Sequence, residues 1–341
     1  MESFNKLRGP RLRNVNWSVW SWLLIMSLKF LQVGGIVGGV AIILHMVAPL
    51  PLPDLWPDES AGGFNFQPES IALWSILIAV GVALLVFRGY YLLLEKLSLV
   101  MIGLFTLLTI ASVIALQSTE FAFAWSDISS GLRFQLPADQ AILFAAIGAF
   151  GITGIGGDEI MTYNYWLLEK GYAAKTGKRD DSPEWNARAK GWIRVMYWDA
   201  ILSMIVYTVV TAAFFILGAA VLHSQALVPE KGDLVEVLSR MYTDTLGPWA
   251  RNVFLTGAIV VLFSTLFAAL AGWTRLFSDC FSQLGWFNYN DRRSRLKAIG
   301  WLAWLIPLAW AVLYLFVQLP GQMVLIGGVG SSIILLIVVV A

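Results

Sequence analysis

Residues 148–168 read GAFGITGIGGDEIMTYNYWLL, and this stretch decides how the chain folds. Five glycines fall between Gly148 and Gly157, and two carboxylates, Asp158 and Glu159, follow directly. The apolar segment around them runs over about residues 140–168, which is more than the roughly 20 residues that a straight membrane helix needs. A helix that is broken near residues 153–157 explains both the excess length and the glycines.

A break of this kind predicts a binding site. Unwound backbone is tolerated inside a membrane only where protein buries it or a water-filled cavity meets it, and broken helices place carbonyls and half-helix ends at the binding sites of transporters. Asp158 and Glu159 would attract a cation, since carboxylates inside a span are costly and usually face a pathway or a cation. The backbone carbonyls would come from the candidate binding residues Thr153, Gly154, Ile155, Gly156 and Gly157.

A simpler interpretation of the same residues stays open. Glycine-rich membrane helices often serve only close helix packing. Asp158 could be the N-cap of the second half-helix, and Glu159 would then be favoured by the helix dipole.

The composition of the chain places it in the membrane. Of 341 residues, 58% are hydrophobic and 13% are charged, and the mean hydropathy is +0.72. The 23 basic and 22 acidic residues leave no basic face for nucleic acid, and one cysteine and two histidines exclude a disulfide framework and a zinc cluster. We therefore expect an all-α polytopic membrane protein that is not an enzyme, holds no resident cofactor and has the lipid bilayer as its main partner.

Eight apolar stretches are long enough to span a bilayer of ordinary thickness. The connections that follow even-numbered stretches, together with the N-terminus, hold 17 of the 23 basic residues, whereas the other connections hold 4. Basic residues are retained on the cytoplasmic side, so this alternation predicts a multi-pass protein of the cell membrane with a cytoplasmic N-terminus. The eight stretches cover about residues 17–48, 70–87, 97–116, 140–168, 195–222, 253–276, 298–317 and 321–341.

Polar residues in three other spans are further candidates. Asp199 follows Tyr197 and Trp198 at the start of the fifth span, where it could relay protons or simply lie near the interface. Gln322 opens the last span and could line a cavity or be interfacial. Lys29 lies in the middle of the first span and must snorkel or pair, and we expect it to pair with an acid.

The run from Gly148 to His223 resembles the sixth and seventh helices of Nramp-type metal-ion transporters, especially bacterial Nramp-like branches. The resemblance implies a LeuT-like fold of two inverted five-helix repeats, with the site where the first helix of each repeat is broken. Residues 140–341 would form the second repeat, and residues 17–116 the last three helices of the first. The first two helices, which carry the metal-binding Asp-Pro-Gly motif of typical members, would be missing, so we expect those helices or a second subunit to be needed for activity.

The aligned residues also depart from the family pattern. Typical members read close to GATVMPH at the break, so Ile155 stands where they have a methionine and Gly157 where they have a histidine. A thioether favours transition metals, and its replacement beside Asp158 and Glu159 leaves an oxygen-only site suited to harder ions. The resemblance thus implies a proton-coupled transporter of a divalent cation, with a preference shifted toward Mg²⁺ or Mn²⁺.

Two other functions remain open at this point. A transporter of the same fold could carry an organic substrate such as an amino acid, although Asp158 and Glu159 would repel its carboxyl group. An intramembrane aspartyl protease would need Asp158 and Asp199 to share a proton.

Overall fold

The computed structural model of the chain describes residues 1–50, 69–89, 91–133, 139–153, 155–229 and 233–340. A short N-terminal unit contains α1 (Glu2–Asn5) and a two-stranded antiparallel hairpin of β1 (Arg11–Leu12) and β2 (Val15–Asn16). Helices make up the rest, and their bounds are α2 (Trp17–Val47), α3 (Glu69–Arg88), α4 (Tyr91–Leu116), α5 (Trp125–Gly131), α6 (Gln140–Ile152), α7 (Gly157–Lys170), α8 (Tyr172–Thr176), α9 (Pro183–Leu217), α10 (Leu234–Leu246), α11 (Ala250–Gln283), α12 (Arg292–Val317) and α13 (Pro320–Val340). A π-helical turn, Gly218–His223, extends α9.

Eight helical segments in the described part of the chain are long and apolar enough to cross a membrane. The all-α polytopic class predicted from the sequence is therefore confirmed. The segments are Trp17–Val47, Ser70–Arg88, Ser98–Leu116, Gln140–Leu167, Pro183–His223, Ala250–Gln283, Arg292–Val317 and Pro320–Val339.

Polar side chains fix where several of these helices begin. The Asn16 side chain accepts a hydrogen bond from the Ser18 N–H at the start of α2, and Ser182 does the same for Trp185 at the start of α9. Each cap satisfies a backbone donor that has no partner within its own helix.

Helix α2 lies at the centre of the structure and packs against α3, α11, α12 and α13. Helix α13 packs against α2 on one side and against both α6 and α7 on the other. Gly327 allows α13 to approach α2 closely, because a Cβ at this position would collide with Gln32 of α2. The broken segment therefore rests on a helix that is itself fixed to the central one.

Helices α4, α6 and α9 lie at the periphery, where many of their apolar side chains are exposed. Phe215 of α9 and Phe150 of α6 are 77% and 63% exposed. Apolar surface of this extent suits contact with lipid chains or with other membrane helices.

Candidate functional site

The fourth membrane segment is interrupted where the glycines predict. Helix α6 ends at Ile152 and α7 begins at Gly157. Thr153 has the extended dihedral angles φ −87° and ψ 110°, and both its N–H and its hydroxyl donate to the Ala149 carbonyl at 2.8 Å. Gly154, one of the predicted binding residues, lies outside the described residues. The last carbonyls of a helix lack intrahelical partners, so the end of α6 offers oxygen ligands at this position.

Glu159 caps the second half-helix. Its Oε2 accepts a hydrogen bond of 2.9 Å from the Gly156 N–H, and the Gly156 carbonyl accepts from the N–H groups of Glu159 and Ile160. This arrangement is the carboxylate half of a capping box. The capping function that the sequence allowed for Asp158 is thus performed by Glu159, through one of its two carboxylate oxygens.

Asp158 forms a buried ion pair with Lys29. The Lys29 Nζ lies 3.2 Å from Asp158 Oδ1 and donates to Ser331 Oγ at 2.6 Å, while Trp273 Nε1 donates to Asp158 Oδ2 at 3.4 Å. Lys29 and Asp158 are only 4% and 3% exposed. The expectation that Lys29 pairs with an acid is confirmed, and the pair joins α2, α7, α11 and α13 at the break.

The two adjacent carboxylates therefore have different environments. The charge of Asp158 is compensated by Lys29 in the interior, whereas Glu159 is exposed. A buried carboxylate that has a fixed ammonium partner attracts a further cation much less than an unpaired one does. Glu159 is accordingly the carboxylate of the break that is open to a cation.

The exposed face of the break leads to Asp199. Thr153, Ile155 and Glu159 are all exposed, and Tyr163 follows Glu159 by one helical turn. The Tyr163 hydroxyl lies 3.4 Å from Asp199 Oδ2 on α9, a long hydrogen bond. Sequence reasoning missed Tyr163, although its spacing of four residues from Glu159 was a signal that could have found it.

The contacts of the two aspartates bear on the protease alternative. Asp158 contacts Lys29 and Trp273, and Asp199 contacts Tyr163. An aspartate pair that shares a proton needs its carboxylates side by side, and an aspartate neutralised by a lysine is unsuited to that chemistry.

Gln322 lies away from the ion pair. It is exposed in the first turn of α13, nine residues before Ser331, which corresponds to about 13 Å along a helix axis. A role for Gln322 in lining the site stays a prediction, and Gln322 would line a part of the cavity well above or below the ion pair along α13.

The glycines around the break also provide close packing, as the simpler interpretation expected. A Cβ on Gly151 would collide with the Gly328 carbonyl of α13, and one on Gly157 would lie 2.5 Å from the backbone nitrogen of Leu335. Ser332, between these two contacts, donates to the Ile147 carbonyl at 3.1 Å. Close packing and the break therefore coexist in the same residues.

The site offers oxygen ligands and a single open carboxylate. Among the residues that the structure describes, no cluster of three or more His, Cys, Asp or Glu side chains is arranged to hold a metal ion. A cation at the break would have to rely on Glu159 and on backbone oxygens, together with groups outside the described residues.

A bundle of helices that could span a membrane, one of them broken beside carboxylates, is typical of secondary transporters. The sequence model described as Natural resistance-associated macrophage protein-like (Nramp) matches residues 13–341, so the chain belongs to this family. It is a multi-pass membrane protein of a family that transports divalent metal ions. Neither a curated protein nor a solved structure matches the chain.

Proposed function

We propose that the protein is a proton-coupled secondary transporter that moves a hard divalent cation, Mg²⁺ or Mn²⁺, across the cell membrane by alternating access, with a cytoplasmic N-terminus. Membership of the Nramp family supports divalent-cation transport. The observation that carries the site is the exposed carboxylate of Glu159 beside the backbone oxygens of the break.

Glu159 attracts the cation, and Asp158 acts through its pair with Lys29. The bond from the Gly156 N–H uses Oε2 of Glu159, so the second carboxylate oxygen is the one we assign to the cation. The Lys29–Asp158 pair fixes the start of α7 against α2, so that the Glu159 carboxylate is held in one orientation.

The hard-ion preference rests on the atoms at the break. Ile155 is 45% exposed there, and residues 151–153 and 155–159 contribute no sulfur atom. Oxygen ligands suit Mg²⁺ and Mn²⁺, whereas a thioether would favour softer metals. The backbone carbonyls of Thr153 and Ile155 supply the remaining oxygens in this proposal, because the Gly156 carbonyl already accepts from the N–H groups of Glu159 and Ile160 and Gly157 belongs to α7. Gly154, which lies outside the described residues, is proposed to contribute in the same way.

Asp199 relays protons, with Tyr163 between it and the break. The hydroxyl of Tyr163 contacts Asp199, and its ring lies one turn from Glu159 on the same face of α7. The face itself is open in this chain, since Thr153 and Ile155 are exposed. We propose that further helices or a second subunit complete it and bring additional ligands.

Uptake of Mg²⁺, Mn²⁺ and Cd²⁺ into cells that express the natural reading frame tests this function. We expect uptake of Mg²⁺ or Mn²⁺ that exceeds uptake of Cd²⁺, is stimulated by an inward proton gradient and is lost in the double variant D158N/E159Q. Equal uptake of Cd²⁺ and Mg²⁺ would contradict the preference for hard ions but not the transport of divalent cations. Competition of metal uptake by amino acids would instead favour an organic substrate.

A further inference from the structure

A groove of about 600 Å³ lies between the end of α3 and the start of α12, and none of its lining residues belongs to the broken helix. Phe87 of α3 forms one wall of the groove, and the first four turns of α12 form the other. The lining is largely apolar at one end and basic at the other, and it is distinct from the residues discussed above.

The groove residues of α12 follow a helical stripe in which cations precede aromatic rings. Arg293, Lys297 and Trp301 succeed one another at intervals of four residues, so they share one face of the helix. All three are exposed, and Trp301 is 71% exposed. The distance along the helix from Arg293 to Trp304 is about 16 Å, close to half the 30 Å thickness of a hydrocarbon core.

A glycine keeps the apolar end of the groove open. A Cβ on Gly300 would lie 3.4 Å from the Phe87 ring, so a larger side chain at this position would occupy the groove. The rings of Phe87 and Trp304 pack against each other beside it, with centroids 6.3 Å apart and planes tilted by 54°. The apolar end of the groove beside these rings, here called the slot, offers a surface that suits an acyl chain.

The acid at the N-terminal end of α12 is engaged by the backbone. Asp291 caps α12 by accepting hydrogen bonds from the N–H groups of Arg293 and Ser294, which commits its carboxylate to the backbone. Arg295 stacks over the Tyr289 ring at 5.1 Å, away from the stripe. Arg293 and Lys297 are thus the cations presented to a ligand in the groove.

We propose that this groove binds an anionic phospholipid, with the headgroup phosphate at Arg293 and Lys297 and an acyl chain along Trp301, Trp304 and Phe87. Any lipid can cover an apolar slot, but two cations at the interfacial end select a negatively charged headgroup. The aromatic rings lie deeper along the same helix, at the level of the acyl chains. The proposal does not depend on which ion the protein transports.

Native mass spectrometry of the purified full chain tests the proposal with phosphatidylglycerol and phosphatidylcholine that carry identical acyl chains. We expect phosphatidylglycerol to be retained preferentially, and R293Q/K297Q to weaken its binding about thirtyfold, at about 1 kcal/mol for each basic residue. The control K178Q/K190Q removes two other exposed lysines, one in the connection that precedes α9 and one near the start of α9. It should leave the retention of phosphatidylglycerol unchanged.

A second variant tests the apolar end without altering charge. G300L fills the slot and should reduce the binding of both lipids, while size-exclusion chromatography checks that the protein remains folded. Equal retention of the two lipids by the unmodified protein, or equal losses in R293Q/K297Q and K178Q/K190Q, would overturn the proposal. Displacement of the lipid by millimolar inorganic phosphate would overturn the lipid assignment and leave only an anion site.

Discussion

The Lys29 ammonium lies 3.2 Å from the Asp158 carboxylate, and both side chains are almost fully buried between four membrane helices. One residue belongs to the central helix α2 and the other to the second half of the broken helix. The pair therefore attaches the half-helix to the core at the point where the chain has no regular hydrogen bonding of its own.

Removal of one member of this pair should destabilise the protein strongly. K29M leaves an uncompensated buried carboxylate, and we expect it to lower the free energy of unfolding by about 3–5 kcal/mol. Thermal unfolding in detergent, followed by tryptophan fluorescence, measures the effect. K6M provides a matched control because it breaks the Lys6–Glu2 pair, which is exposed to solvent and should contribute little to stability. Similar losses in the two variants would show that the Lys29–Asp158 pair contributes little.

Neutralisation of Glu159 should impair transport without unfolding the protein. E159Q keeps an oxygen that can accept the Gly156 N–H bond but removes the charge that attracts the cation. We expect the KM for Mn²⁺ uptake to rise at least about tenfold, with thermal stability near that of the unmodified protein. E159A removes the cap as well and should lose about 1 kcal/mol of stability in addition. Unchanged KM in E159Q would exclude Glu159 from the cation site.

A sulfur ligand at the break should change ion selectivity. I155M introduces a thioether at an exposed position beside Glu159, and we expect the ratio of Cd²⁺ to Mg²⁺ uptake to rise. Competition uptake assays measure this ratio. I152M is the control, since Ile152 is also exposed but still belongs to α6. An equal rise in both variants would indicate a general effect of methionine on the surface of the segment.

Loss of the Tyr163 hydroxyl should slow proton-coupled uptake. Y163F removes the group that contacts Asp199, and we expect a lower maximal rate and a changed pH profile at an unchanged KM for the cation. Y197F is the control because Tyr197 lies on the same helix as Asp199 but is 67% exposed. A pH profile identical to that of the unmodified protein would argue against a relay through Tyr163.

The contact between α6 and α13 should tolerate no side chain. In G151A the new methyl group would collide with the Gly328 carbonyl, so the helices must separate and we expect the yield of folded protein to fall sharply. In G103A the methyl group meets open space on α4, and alanine should stabilise that helix slightly. Fluorescence-detected size-exclusion chromatography compares the two. Normal folding of G151A would mean that the two backbones can move apart at little cost.

The spans and the break were predictable because they depend on local composition. Apolar length defines a membrane helix, and the glycines of residues 148–157 weaken one at a definite place. The distinction between Asp158 and Glu159 was not predictable in this way. It depends on which side of α7 faces Lys29, and Lys29 is more than a hundred residues distant in the chain.

The same limit applies to the polar residues of the later spans. Nothing in the sequence singled out Ser331. It accepts a hydrogen bond from Lys29 because this part of α13 packs at the level of the break. Gln322 is a polar residue at the start of the last span, but its position in the first turn of α13 places it about 13 Å along the helix from Ser331. The level at which a residue of one helix meets a neighbouring helix can be known only from the packed structure.

Helix α13 runs unbroken past both halves of the interrupted helix and contacts α6 through Gly151 and α7 through Gly157. One continuous helix thus supports both halves of the broken one. If the half-helices move in the transport cycle that we propose, one of these two contacts must loosen first, and that choice would set the side of the membrane on which the site opens. The glycine contacts that hold the two half-helices against α13 are therefore also the places at which the proposed alternating access would begin.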